Sequence, residues 1–345
     1  MRKSLLFLTS SDIQHPDANF SHHLLHELFK RITDEYNVTC LAPAFFGGRD
    51  IESIDGVTYI RRGNALSFSW HALHYIKSHP IALILLFNVP FLEFMCRRST
   101  IPSARILVNM PTCQAKSSFS DPCLVFHPSV LMTLTKQGYH QVVRLPEGLD
   151  LLSPESTWLE KEKRPTFVYV SRPSQSKELF DVCQAFIASK QEFQAVQLWI
   201  IGHCPIRFDA SIPAAIQQSI HYLGDIEPVE RNRHISRATA LLVPSHEDNW
   251  GMIVYEAARV GTPAIVYDTP GLCDAVQYGM TGYLAKANHP GALAAEMRSC
   301  MLDETTYHML RYAAQQFSTT KHLHDLEPTF RDWLRTNTSD VTADR

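Results

Sequence analysis

No two of the 8 cysteines form a C-x-x-C pair; Cys40, Cys96, Cys113, Cys123, Cys183, Cys204, Cys273 and Cys300 are scattered singly. That pattern offers neither a zinc ligand set nor a disulfide framework, and it fits buried thiols of a cytoplasmic protein. Charge of one sign is scarce too. A net charge of -3 and a pI near 6.6 give no basic face for a nucleic acid, so none is expected as a partner. Long apolar runs are missing: Ile81 to Met95 is broken by Asn88, Pro90 and Glu93 and falls short of a membrane span. The opening MRKSLLFLTSSD holds an apolar run too short for a signal peptide and reads as a first buried strand. There is also no Asp-x-Asp motif to hold a divalent ion.

What is present is material for two cores: 45% hydrophobic and 19% charged residues over 345 positions, a length typical of two domains. Strand and helix patterns alternate throughout, as in α/β folds with parallel sheets. Strands are expected at Leu5 to Leu8, Val38 to Leu41, Val57 to Ile60, Ala82 to Phe87, Ile106 to Val108, Leu124 to Phe126 and Val142 to Leu145. Phe20, Leu24, Leu25, Leu28, Phe29 and Ile32 trace one face of a helix running to about Tyr36. Pro146 to Asp150 breaks the pattern, Glu155 to Arg164 reads as a charged linker, and a fresh strand opens at Phe167. Two successive α/β domains are expected, 1–150 and 151–320. Residues 321–345 add a helix with an apolar stripe (Leu323, Leu326, Phe330, Trp333, Leu334) and a polar tail.

The densest signal is Val243 to Lys286. An apolar strand, Ala240 to Val243, runs into Pro244-Ser245, an acidic turn and Gly251, then a helix from Met252 to Val260 that stops before Gly261 and Pro263. A strand, a polar loop and a helix N-terminus in that order aim backbone N–H groups and the positive end of the helix dipole at an anion. Carboxylates beside such a place suit hydroxyls, and a ligand with both phosphates and hydroxyls is a nucleotide sugar. Asp248 and Glu256 are separated by seven residues.

This stretch resembles the signature of retaining glycosyltransferases of the GT-B fold, family four, whose members carry two acidic residues at that spacing. Asp248 stands where the family usually has Glu, with Glu247 one residue early. The resemblance continues through Pro244-Ser245, the turn Asn249-Trp250-Gly251, Glu256-Ala257, Gly261-Thr262-Pro263, Gly271, Gly279 and Gly282. It implies that Asp248 orients the sugar, Glu256 holds the ribose, and Asn249, Trp250 and Gly251 line the donor site. Arg172, at a strand end, and Lys177, five residues later at a helix start, match the family pair that neutralises the leaving diphosphate. No metal is then expected. Gly202 and Gly224 resemble the glycines of the nucleotide pocket, and Pro146 to Asp150 the interdomain junction, with Glu147 in place of Asn. By this resemblance the fold is GT-B, two Rossmann-like parallel-sheet domains facing a cleft; the first serves the acceptor, the second binds the nucleotide sugar, and the last helix crosses back to the first.

The likeness covers Val142 to Ala287 well and is thin before Gln141. The loop Ser10 to Asn19 lacks the family's Gly-Gly pair, and Asn109 stands where a His is common. Three functions follow. The first is a retaining glycosyltransferase moving a sugar from a nucleoside diphosphate to a hydroxyl acceptor, without a cofactor. The others are an epimerase or hydrolase on the same fold, and a non-catalytic nucleotide-sugar-binding partner. Trp70, Phe91, Phe94 and Met95, followed by Arg97-Arg98, leave room for a lipid-linked acceptor and peripheral membrane contact, although core packing is the commoner role of such residues. The 17 histidines, His15, His22, His23 and His26 among them, read as solvated or partly buried, since acidic or Cys neighbours at ligand spacing are lacking.

Overall fold

The computed structural model describes residues 2–16, 18, 20–64, 66–96, 99–107, 122–145, 158–171, 176–202, 212–246, 251–301, 303–320 and 323–339. The chain divides into two units, Met1–Leu151 with Leu323–Arg345, and Leu152–His322.

In the first unit β1 (Lys3–Thr9) buries its last five residues on both faces, which makes it a central strand. After it come α1 (Phe20–Arg31), β2 (Tyr36–Ala42), β3 (Ile51–Ile54), β4 (Val57–Arg61), α2 (Phe68–Ser78), β5 (Leu83–Phe87) and α3 (Pro90–Cys96). The unit continues with β6 (Ser103–Leu107), β7 (Cys123–Val125), α4 (Pro128–Lys136) and β8 (Val142–Arg144). Among the described residues these strands form one sheet in the order β3-β4-β2-β1-β5-β6-β7-β8. Only β3 runs antiparallel to its neighbour. The apolar pattern alone did not reveal β3, yet Asp55 (φ 51°) and Gly56 (φ 83°) make the two-residue turn that an Asp-Gly pair favours between hairpin strands. Helix α1 stops at Arg31, short of the expected Tyr36. Ile32 still packs on its apolar face, but Tyr36 already opens β2 and its N–H bonds back to Ile32 O at 2.9 Å.

The apolar face of α3 also differs from expectation. Leu92 and Cys96 are its buried residues, while Phe91, Phe94 and, on α2, Trp70 are exposed at 60%, 52% and 66%. These three aromatics are therefore not core. No helix among the described residues is long and apolar enough to cross a membrane.

The second unit is built from β9 (Thr166–Ser171), α5 (Ser176–Glu192), β10 (Gln197–Gly202), α6 (Ala214–Gln217), β11 (Ile220–Gly224) and α7 (Pro228–Arg237). Then follow β12 (Ala240–Val243), α8 (Met252–Arg259), β13 (Ala264–Tyr267), β14 (Gly282–Ala285), α9 (Pro290–Ser299) and α10 (Glu304–Thr319). Its strands lie in the order β11-β10-β9-β12-β13-β14, all parallel. The order reverses between β9 and β12. In open α/β sheets, the crevice beyond the carboxyl ends of two such strands is where ligands bind.

The segment expected as a charged linker is packed into this unit from Trp158 onward. Lys161 is held by Ala238 O and Thr262 Oγ1, both at 2.7 Å, and Arg311 lies over the Trp158 ring at 4.5 Å. Burial, with Arg311 nearby, pulls the Lys161 amine well below the usual lysine range. Helix α11 (Leu326–Asn337) returns to the first unit. Its Phe330 ring meets Phe29 of α1 at 6.2 Å, and Arg331 pairs with Glu35 at 2.6 Å and Asp34 at 3.1 Å.

Candidate functional site

The carboxyl ends of β9, β10 and β12 and the starts of α5 and α8 meet the criteria for a ligand crevice in the second unit. Gly202 ends β10 with φ 92°, and a Cβ there would lie 2.4 Å from Ser171 O, the last residue of β9. Only glycine fits. Gly224 ends β11 at φ 69° with open space around it. Gly202→Ala is therefore expected to cost about 2 kcal/mol or more, through backbone strain plus overlap, and Gly224→Ala about 1 kcal/mol. Thermal unfolding of the two variants checks this order. Equal melting temperatures would mean that the contact with Ser171 O relaxes freely.

Gly251 caps α8 in the left-handed conformation (φ 66°), a turn that lets the chain pass from the acidic loop into the helix. One helical turn further on, Glu256 is about a quarter exposed and accepts from Arg231 Nη2 of α7 at 2.6 Å. The carboxylate that the apolar run around it would penalise is thus paired.

Lys177 is exposed on the first turn of α5, and Glu178 and Asp181 on the same turns are buried. Ser245, two residues past β12, donates its hydroxyl to Glu178 Oε1 at 2.7 Å, while the Tyr169 hydroxyl of β9 lies 3.5 Å from Oε2. His246 Nε2 meets Asp181 Oδ2 at 2.7 Å, and the Tyr267 hydroxyl of β13 donates to the same oxygen at 3.0 Å. Burial and the Asp181 carboxylate push the Tyr267 phenol far above its ordinary range, so it stays a neutral donor. This network ties α5 to the ends of β9, β12 and β13. Sequence reading missed it, although Glu178 and Asp181 interrupt the buried run Leu179, Val182, Cys183 and were the available signal.

Residues 155–317, which contain all of these groups, match the family described as glycosyl transferases group 1. Over that span, just under half of the chain, the sequence is similar to that family. The glycogen synthase of Mycobacterium tuberculosis is 24% identical over 264 residues, 71% of this chain and 63% of its own. The chain thus spans under two thirds of that relative's length. Sucrose-phosphate synthase of Thermosynechococcus elongatus superposes with a TM-score of 0.73 at 16% identity, covering 97% of this chain and 99% of its own. HepE of Anabaena, solved with UDP and glucose, gives 0.65 at 13%, covering 96% and 99%. The fold is GT-B, with two Rossmann-like α/β units.

Within the matched span, Lys177, Gly202, Gly224, Gly251 and Glu256 are described. Arg172, Asp248, Asn249 and Trp250 lie outside the described residues, as do Glu247, Asn109, Arg97-Arg98 and the junction Pro146 to Asp150. In the first unit, His26, Glu27 and Asp55 bring potential ligand atoms within 4.8 Å of one another. The hairpin turn carries Asp55 there from 29 residues away, so the acidic neighbour that spacing along α1 did not reveal exists. Lys30 Nζ sits 3.4 Å from Asp55 and 3.5 Å from Glu27 and supplies the cation for those carboxylates.

Proposed function

We propose that the protein transfers a sugar from a nucleoside diphosphate sugar to a hydroxyl acceptor with retention of anomeric configuration and without a metal ion or cofactor. The observation that supports this reading is topological: Lys177 lies in the first turn of α5, the helix after β9, and Gly251 opens α8, the helix after β12, and the strand order reverses between β9 and β12 in a span similar to group 1 glycosyl transferases. Arg172, Lys177 and the amides after Gly251 take the charge that grows on the diphosphate as it leaves. Asp248 orients the sugar, Glu256 binds the ribose, and Gly202 and Gly224 let the nucleotide approach backbone, with Asn249 and Trp250 alongside. Residues 1–150 serve the acceptor, and residues 151–320 the donor. HepE was solved with UDP, which makes a uridine nucleotide the first donor to try.

The test is turnover of UDP-glucose, UDP-N-acetylglucosamine, ADP-glucose and GDP-mannose with a panel of hydroxyl acceptors. Transfer is expected to survive EDTA and to give a product of the donor's configuration by proton NMR. An inverted product, or activity abolished by EDTA and restored by a divalent ion, would overturn the mechanism. Nucleotide binding without transfer to any acceptor would favour the non-catalytic partner. Peripheral membrane contact belongs to the same proposal and is supported by the exposed Trp70, Phe91 and Phe94. Flotation with lipid vesicles checks it.

A further inference from the structure

Lys177 and Asp181 stand four residues apart on α5 and so share a helix face. Against Asp181 lies His246, the second residue after Pro244 on the way into the acidic turn. An ionised carboxylate only accepts, so the His246 Nε2 at 2.7 Å from Asp181 Oδ2 carries a proton. That fixes the tautomer. Nδ1 is a lone pair in the neutral ring and an N–H in the imidazolium. His246 is about a quarter exposed, its ring rests edge-on against Tyr267 at 5.0 Å, and Asp181 is its one hydrogen-bond partner among the described residues.

The groups facing this ring are Asp181, with Glu178 one turn before it and Lys177 exposed on the same helix, and the Tyr267 phenol of β13. Two buried carboxylates behind a crevice oppose an anionic ligand, and the hydroxyls of Ser245, Tyr169 and Tyr267 bring hydrogen bonds but no positive charge. An imidazole held on a carboxylate by one nitrogen becomes the better host for a proton when a second anion arrives at the other.

We infer that His246 is a further donor-site residue, bound between Asp181 and the diphosphate of the donor and protonated when the diphosphate binds. This rests on the nucleoside diphosphate reading above. The proton comes from solvent, Nε2–H stays on Asp181, and Nδ1–H donates to a phosphate oxygen. Asp181 and Tyr267 are positioning residues that act through the ring.

Calorimetric titration of the full chain with UDP, ADP and GDP and their monophosphates, in buffers of different ionisation enthalpy at one pH, tests this. Wild type is expected to bind a diphosphate more tightly than its monophosphate and to take up protons on doing so. His246→Gln and His246→Ala are expected to weaken diphosphate binding about tenfold, the scale of one charge-assisted hydrogen bond. Both should reduce the proton uptake and narrow the preference over the monophosphate. Gln keeps an amide of similar reach, so the test stands if the Ala variant does not fold. Should wild type bind none of the diphosphates, the donor reading itself fails. If wild type prefers the diphosphate and the Gln variant keeps both affinity and proton uptake, the role of His246 alone is overturned.

Discussion

Arg61→Met is expected to destabilise the first unit by about 3–5 kcal/mol, the usual cost of removing one partner from a buried ion pair. Arg61 and Asp12 are 1% and 2% exposed, and Nε meets Oδ2 at 2.6 Å. The same guanidinium donates to Arg49 O at 2.8 Å, Glu52 at 3.1 Å and Gln14 at 3.1 Å. Met fills much of the space but strands the Asp12 carboxylate away from water. For a unit of this size the loss corresponds to a fall of about 10 °C in melting temperature. Asp12→Leu combined with Arg61→Met should recover a large part of it, since a pair of apolar groups leaves no buried charge. Calorimetric unfolding of the two single variants and the double variant measures the coupling. A single variant within about 1 kcal/mol of wild type would mean that water reaches Asp12.

The same pair explains how the loop after β1 is held without glycine. Thr9 Oγ1 donates to Ser11 O at 2.7 Å, Ser11 Oγ bonds His22 at 2.9 Å, and Gln14 N–H donates to Asp12 Oδ1 at 2.8 Å. Where a Gly-Gly pair would give backbone freedom, side chains fix one conformation. The partner that anchors it, Arg61, lies 49 residues away at the end of β4.

Distance along the chain separates what was legible from what was not. Buried parallel strands are apolar runs, and Ala240–Val243 was read to the residue while β1 was read to within two and the start of β9 to within one. The edge strand β3 alternates exposed and half-buried positions, so its apolar signal is weak and only its turn betrays it. Contacts such as Glu178 to Ser245 and Asp181 to His246 join residues 67 and 65 apart. No local spacing encodes them. Glu256 was legible as an acid out of place on an apolar helix, but its partner Arg231 comes from α7, a separate element that periodicity does not link to α8.

Arg172→Ala and Lys177→Ala are each expected to lower turnover of a nucleotide sugar by about 100- to 1000-fold, the effect of deleting one group that stabilises charge in the transition state. The loss should fall mainly on kcat, because the charge on the diphosphate grows as the sugar departs. Lys177 is exposed on the first turn of α5, so its removal leaves no buried group unpaired and the fold should persist. The carboxylates should separate from these and from each other. On the ribose-binding role proposed for Glu256, Glu256→Gln is expected to weaken binding of the bare nucleotide about tenfold, the cost of replacing a charged acceptor by a neutral one. Its Arg231 neighbour then also loses its ion pair, so thermal unfolding must accompany the binding measurement. Asp248→Asn should spare the bare nucleotide and depress turnover of the full donor. If Asp248→Asn stays fully active while Glu247→Gln is dead, the sugar-facing carboxylate is the earlier residue of the turn. Were Lys177→Ala and Arg172→Ala both to keep wild-type kcat, the leaving diphosphate would have to be neutralised by something other than these two cations.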